Sequence, residues 1–137
     1  MNKFKCKVIS GGKVEGKLIF SKEPILFYHT DPKTGNIIEK GHALEGKSVK
    51  DKIVVFPKGK GSSVVQADGL YKLDECGTGP KALIVEELDT VLVSCAIVME
   101  IPMVTEVDKE FYNQVYDGQK ITLDADKGEI IVQQPSK

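Results

Sequence analysis

Two four-residue stretches without a polar side chain, Ile53-Val54-Val55-Phe56 and Ala82-Leu83-Ile84-Val85, constrain this fold most. A strand that is apolar on both faces has to be buried on both faces. Such strands lie inside a sheet and are joined by a crossover that usually contains a helix. The segment between them supplies one. Pro57 to Gly61 reads as a loop, and Ser62 or Ser63 is a good N-cap. Val64 to Leu73 is predicted helical with Val64, Val65 and Leu70 inward, and Gly77-Thr78-Gly79-Pro80 stops the helix. Ile53 to Val85 thus has the length and order of a β-loop-α-β unit.

The flanking regions are β-rich. Lys3–Val8 and Val14–Phe20 read as strands separated by Gly11-Gly12. Asp31 to Asn36 has the turn chemistry of Pro and Gly between two extended pieces, Ile25–Tyr28 and Ile37–Ile38, and Gly41 to Lys50 is polar and irregular. Val91 to Ile101 is predicted to be a second, apolar helix ended by Pro102, followed by a short strand, Met103–Thr105. Gly118–Leu123 and Glu129–Val132 flank the turn 124–128 as a closing hairpin. The fold class is mixed α/β, and the 137 residues are expected to form a single domain with a frayed tail over 133–137.

Composition excludes several function classes. Nineteen basic and twenty acidic side chains leave a net charge of -1, so nothing favours a nucleic-acid partner. The longest apolar run, Val91 to Met99, is interrupted by Ser94 and falls well short of the roughly 18 residues of a bilayer span. The first ten residues lack the continuous apolar stretch of a secretory leader, and a cytoplasmic protein without membrane contact is expected. Cys6, Cys76 and Cys95 are odd in number and form no Cys-x-x-Cys pair. A disulfide framework is not expected, nor is an iron–sulfur cluster or other metal held by this chain alone.

The candidate site is Lys58-Gly59-Lys60-Gly61-Ser62-Ser63, because it follows a buried strand and opens a helix. Open α/β sheets bind ligands at that edge. The glycines let a ligand approach the backbone, the helix N-terminus favours an anion, and Lys58 and Lys60 add positive charge. Those groups would stabilise the alkoxide of Ser62, the activation that a reactive serine needs. From spacing alone, simple helix capping by Ser62 or Ser63 is the favoured role. Nucleotide motifs fail: Lys60 is followed by Gly61 where a P-loop has Ser or Thr, and Val64 stands at the third glycine of the dinucleotide fingerprint. His29 and His42 read as surface histidines and Cys95 as core. Glu86, Glu87 and Asp89 read as a solvated turn, and Cys76–Pro80 could pack beside the Ser62 loop.

Six pieces in order carry a resemblance. They are Glu15-Gly16; Asp31-Pro32-x-Thr34-Gly35 with Ile37-Ile38; Gly41-His42-x-Leu44-x-Gly46-x-Ser48-Val49; Gly59-Lys60-Gly61-Ser62-Ser63; Gly77-Thr78-x-Pro80-x-Ala82; and Ala96-Ile97-Val98-x-Glu100 with Ile101-Pro102. From about Gly12 to Val104 the sequence resembles the small subunit of the aconitase X family; Ala43 stands where the family has Pro. The resemblance implies a swivelling β/β/α domain similar to the aconitase mobile domain, paired as a heterodimer with a large subunit that holds a [4Fe-4S] cluster. It implies removal of water from a small hydroxy acid, with Ser62 as proton acceptor and Lys60, Gly61 and Ser63 in supporting or substrate-binding roles. The most similar branch dehydrates (R)-5-phosphomevalonate to trans-anhydromevalonate 5-phosphate in the archaeal mevalonate pathway. A branch that dehydrates cis-3-hydroxy-L-proline is the alternative. A reading of another class is a noncatalytic swivel or phosphocarrier-like interaction module, in which Cys95 occupies the place of the phosphorylated histidine.

Overall fold

The computed structural model describes residues 2–132; the tail over 133–137 lies outside the described residues. In chain order the elements are β1 (Asn2–Lys5), β2 (Lys7–Ser10), β3 (Lys13–Phe20), β4 (Ile53–Phe56), α1 (Ser63–Cys76), β5 (Ala82–Val85), α2 (Thr90–Val98), β6 (Met103–Thr105), α3 (Lys109–Gln114), β7 (Lys120–Asp124) and β8 (Glu129–Val132). The strands form one eight-stranded sheet in the order β1-β8-β7-β3-β4-β5-β6-β2. The pairs from β3 through β6 are parallel and the others antiparallel.

The apolar strands β4 and β5 pair in parallel, with Ile53 opposite Ala82 and Phe56 opposite Val85, and are fully buried. Their side chains alternate between two cores, as the pleat requires. Val54, Phe56, Leu83 and Val85 enter one core with Leu70 and Leu73 of α1 and Leu92 and Ala96 of α2. Ile53, Val55, Ala82 and Ile84 enter the other with Phe111 of α3 and the inward residues of β7 and β8. No helix of the described residues is long and apolar enough to cross a membrane.

The run Lys3–Val8 is two strands. It breaks at Cys6, whose N–H donates to the Gly128 carbonyl at 3.0 Å. Gly128 has φ +68, and a Cβ there would lie 2.7 Å from the Cys6 carbonyl oxygen, so this approach admits only glycine. β1 and β2 are the sheet's two outer strands. One stretch of chain therefore borders both ends of the sheet, which curls toward a barrel.

Helix α1 is longer than predicted and rotated from the predicted face. Its buried stripe is Gln66, Gly69, Leu70 and Leu73, whereas Val64 is 79% exposed. The spacing of that stripe is helical, but its members were hidden because one is polar and one has no side chain. Gly69 is where the backbone of Phe27 and Tyr28 lies directly on the helix. Helix α2 ends at Val98 rather than Ile101, since Glu100 takes φ +57 and the Ile101 N–H donates to the Ala96 carbonyl at 2.8 Å. The short helix α3, held by the fully buried Phe111, lies in a segment with no predicted helix. The turn over 31–36 forms as predicted, with the Asp31 N–H donating to the Asn36 carbonyl at 2.8 Å.

Candidate active site

Because β4 and β5 are parallel neighbours, helices α1 and α2 both begin at their carboxyl ends, where ligands of such sheets bind. Ser62 is the N-cap of α1, in extended backbone (φ -74, ψ 152), and its Oγ accepts from the Val65 N–H at 3.3 Å. Asp89 is the N-cap of α2, and its Oδ1 accepts from the Leu92 N–H at 2.8 Å. Between them lies an open cleft of about 200 Å³, lined by residues 59–63 with Gln66, Asp89, Thr90 and Val91. The structure thus brings all four predicted site residues, Lys60, Gly61, Ser62 and Ser63, to one cleft.

The glycines are needed on steric grounds. A Cβ at Gly59 would lie 2.6 Å from Gln66 Nε2 and 2.8 Å from Asp89 Oδ2; Gly61 has φ +83. Gln66 is buried, accepting from the Phe27 N–H through Oε1 and donating to the Ile25 carbonyl through Nε2. The cleft floor is therefore tied to the segment 25–27.

Electrostatically, the site differs from the expectation in one respect. The two lysines expected to add positive charge are each engaged: Lys58 lies 3.6 Å from Glu87, and Lys60 Nζ donates to Glu39 Oε2 at 2.7 Å. Lys60 holds the Glu39 carboxyl below the usual carboxylate range, chiefly through that hydrogen bond. What remains for Ser62 is the helix end. No acidic side chain occupies the first turn of α1, so its N–H groups favour negative charge at Oγ or on a bound anion. Among the described residues no side-chain base accepts the Ser62 proton. The chain can stabilise an oxyanion and hold an anionic group, but the serine has no triad of its own.

Other candidates fall elsewhere. His42 is buried rather than on the surface. Its Nδ1 accepts from the Leu44 N–H at 3.0 Å, which leaves Nε2 as the donor to the Pro24 carbonyl at 2.9 Å. His29 is exposed, with Nδ1 3.4 Å from Glu39. The Cys76–Pro80 segment does not reach the Ser62 loop. It packs at the far end of α1 on the turn over 31–36, where Thr78 Oγ1 donates to the Pro32 carbonyl at 2.6 Å. Cys95 is in the core, as expected. Asp89 caps α2 rather than belonging to a solvated turn; its place just before an apolar helical run is the signal that marks it as a cap.

Cys6 sits at the β1–β2 junction, Cys76 is exposed at the end of α1, and Cys95 is buried in α2. Among the described residues no three His, Cys, Asp or Glu side chains converge to hold a metal ion. The residues present do not fit an iron–sulfur cluster.

A family model described as the aconitase X swivel domain matches residues 3–132. A phosphomevalonate dehydratase small subunit from Thermococcus sibiricus is 43% identical over 133 residues, covering 96% of this chain and 99% of the relative. A protein of the same name from Methanosarcina acetivorans is 39% identical over 134 residues, covering 97% and 92%. The crystal structure of Thermococcus kodakaraensis aconitase X in its holo-form superposes with a TM-score of 0.88 at 38% identity, covering 98% of this chain and 100% of that one.

Proposed function

The chain belongs to the aconitase X swivel-domain family, and from that premise we propose that it is the small subunit of a two-subunit hydro-lyase that dehydrates (R)-5-phosphomevalonate to trans-anhydromevalonate 5-phosphate. The near full-length identity to relatives bearing the phosphomevalonate dehydratase name carries the substrate assignment. The exposed position of Ser62 at the N-terminus of α1 supports the chemistry.

In this reading Ser62 Oγ, as alkoxide, takes a proton from the carbon next to the one that bears the leaving hydroxyl. The C–H electron pair becomes the new π bond as the C–O bond breaks; the departing hydroxide and the proton taken by Ser62 together make up the one water lost, which returns Ser62 to its starting form. The helix-end N–H groups stabilise the alkoxide. Gly61 leaves the backbone accessible, and Lys60 and Ser63 border the place of an anionic substrate group.

The open cleft presents one wall of a site, and the other wall is assigned to a large subunit in a heterodimer. The [4Fe-4S] cluster of the family is assigned to that subunit, because this chain's cysteines do not converge. The chain is assigned to the cytoplasm and moves as one swivelling unit.

The test is anaerobic reconstitution with the large subunit, following loss of water from mevalonate 5-phosphate by mass spectrometry. Ser62→Ala should lower turnover on the order of 10²-fold or more. A wild-type pair that ignores this substrate but dehydrates cis-3-hydroxy-L-proline would move the chain to the other branch. A fully active Ser62→Ala pair would reduce Ser62 to a helix cap.

A further inference from the structure

Glu39 lies on the arm between β3 and β4, outside the cleft lining. Its contact with Lys60, at 2.7 Å, is the shortest ion pair among the described residues. It is also shielded: the Lys60 and Glu39 side chains are 37% and 24% exposed, while every other lysine pair keeps at least 42% of each side chain in solvent. A pair withdrawn from water is less screened and better fixed than a surface pair.

Both ends of this contact are informative. Glu39 projects from an anchored platform. The Ile38 N–H donates to the His29 carbonyl at 3.0 Å, and the second carboxylate oxygen of Glu39 lies 3.4 Å from His29 Nδ1. Lys60, in contrast, stands between Gly59 and Gly61, which have no side chains with which to pack the loop, and Gly61 takes φ +83. Glycine-flanked backbone is the most costly to order. The backbone of the loop is bonded at its start, where the Ile25 N–H donates to the Lys58 carbonyl at 3.1 Å and Ile25 bridges to Gly59; nearer Ser62, the long Lys60 side chain is the handle by which the loop can be held.

We propose that Glu39 is a positioning residue: by clamping Lys60 it fixes the glycine-flanked loop that aims Ser62, and it does not itself touch substrate. This rests on the role proposed for Ser62. A serine displaced by an ångström loses much of its rate although the substrate still binds.

The experiment uses the full chain and has two readouts. Backbone amide exchange over Gly61–Val64 is compared in wild type, Glu39→Gln, Lys60→Met and the double variant. The reconstituted pair is then assayed for kcat and KM with Glu39→Gln. The clamp predicts exchange faster by on the order of tenfold in each single variant, with no further increase in the double variant, because the two changes break one contact. It predicts kcat lower by about tenfold, with KM held within about twofold. Unchanged exchange in Glu39→Gln, effects that multiply in the double variant, or a raised KM at constant kcat would each overturn it. If the wild-type pair is inactive on every substrate, the dehydratase reading fails, and the exchange cycle still decides whether the clamp exists.

Discussion

Gln66 is joined to the segment in front of helix α1 by two buried hydrogen bonds: its Oε1 accepts from the Phe27 N–H at 2.6 Å, and its Nε2 donates to the Ile25 carbonyl at 2.9 Å. A buried glutamine here completes the backbone bonding of a segment that pairs with the loop before α1 only at the Ile25–Gly59 bridge, as buried amides require. Gln66→Leu keeps the volume but orphans one donor and one acceptor. At about 1–3 kcal/mol for each unsatisfied group, the expected loss is about 2–6 kcal/mol in urea unfolding.

Gly69 tests the same packing from the backbone. An alanine would improve helix propensity by about 1 kcal/mol. Its Cβ, however, would strike the Tyr28 nitrogen and lie 2.5 Å from the Phe27 carbonyl carbon, and backbone cannot swing aside as a flexible side chain can. Overpacking of this kind costs about 1–3 kcal/mol or more, so Gly69→Ala is expected to destabilise despite the propensity gain. A raised melting temperature would refute the contact.

Ser62 has two roles that substitution can separate. Asparagine caps helices as well as serine does, and alanine does not. Ser62→Ala should lose about 1 kcal/mol of stability together with activity. Ser62→Asn should keep the stability and still lose activity in the reconstituted pair, because the hydroxyl is gone. Retained activity in the asparagine variant would remove Ser62 from the chemistry.

Cys6 makes the protein sensitive to alkali. Burial, with help from the Asp108 and Glu129 charges, raises its thiol to about 11. The folded state then holds the proton more tightly than the unfolded one. The contribution is full below the unfolded value near 9 and is lost as pH rises toward 11. Melting temperature should fall across that window, and less steeply in Cys6→Ala. Tyr112, pushed up to about 12 by burial, steepens the same limb above about pH 10, so the comparison is cleanest between about pH 8 and 10.

The cysteines should also differ in reactivity. Cys76 is exposed, whereas burial raises the thiols of Cys6 and Cys95. Brief iodoacetamide treatment of the native chain should leave one adduct, at Cys76, read by peptide mass spectrometry. A second adduct of equal yield would contradict the packing around β1 and α2.

The central crossover was legible because a strand with no polar side chain has few ways to exist, and the loop between two such strands has few places to go. Ser62 was legible for the same reason: position on that unit, more than residue type, singled it out. What escaped was set by contacts distant in sequence. Nothing in residues 3–8 marks Cys6 as a break, because the carbonyl that captures its N–H belongs to Gly128. Gln66 looks like a surface residue until the segment at Ile25–Phe27 is placed on it. Glu39 looks like any loop acid until Lys60, 21 residues later, reaches it. Val64, apolar and exposed, misled the assignment of the inner face in the opposite sense.

The borders of the sheet have a mechanical meaning. β1 and β2 follow one another in the chain, one pairing with β8 and the other with β6, so residues 2–10 act as a strap across the seam of the curled sheet. Tension on the N-terminus loads the β1–β8 ladder lengthwise, with all its hydrogen bonds sharing the force. Peeling one strand at a time is blocked until Cys6 leaves Gly128. The sheet is thereby tethered at its seam, and a load on it spreads along two ladders rather than onto a single frayed edge.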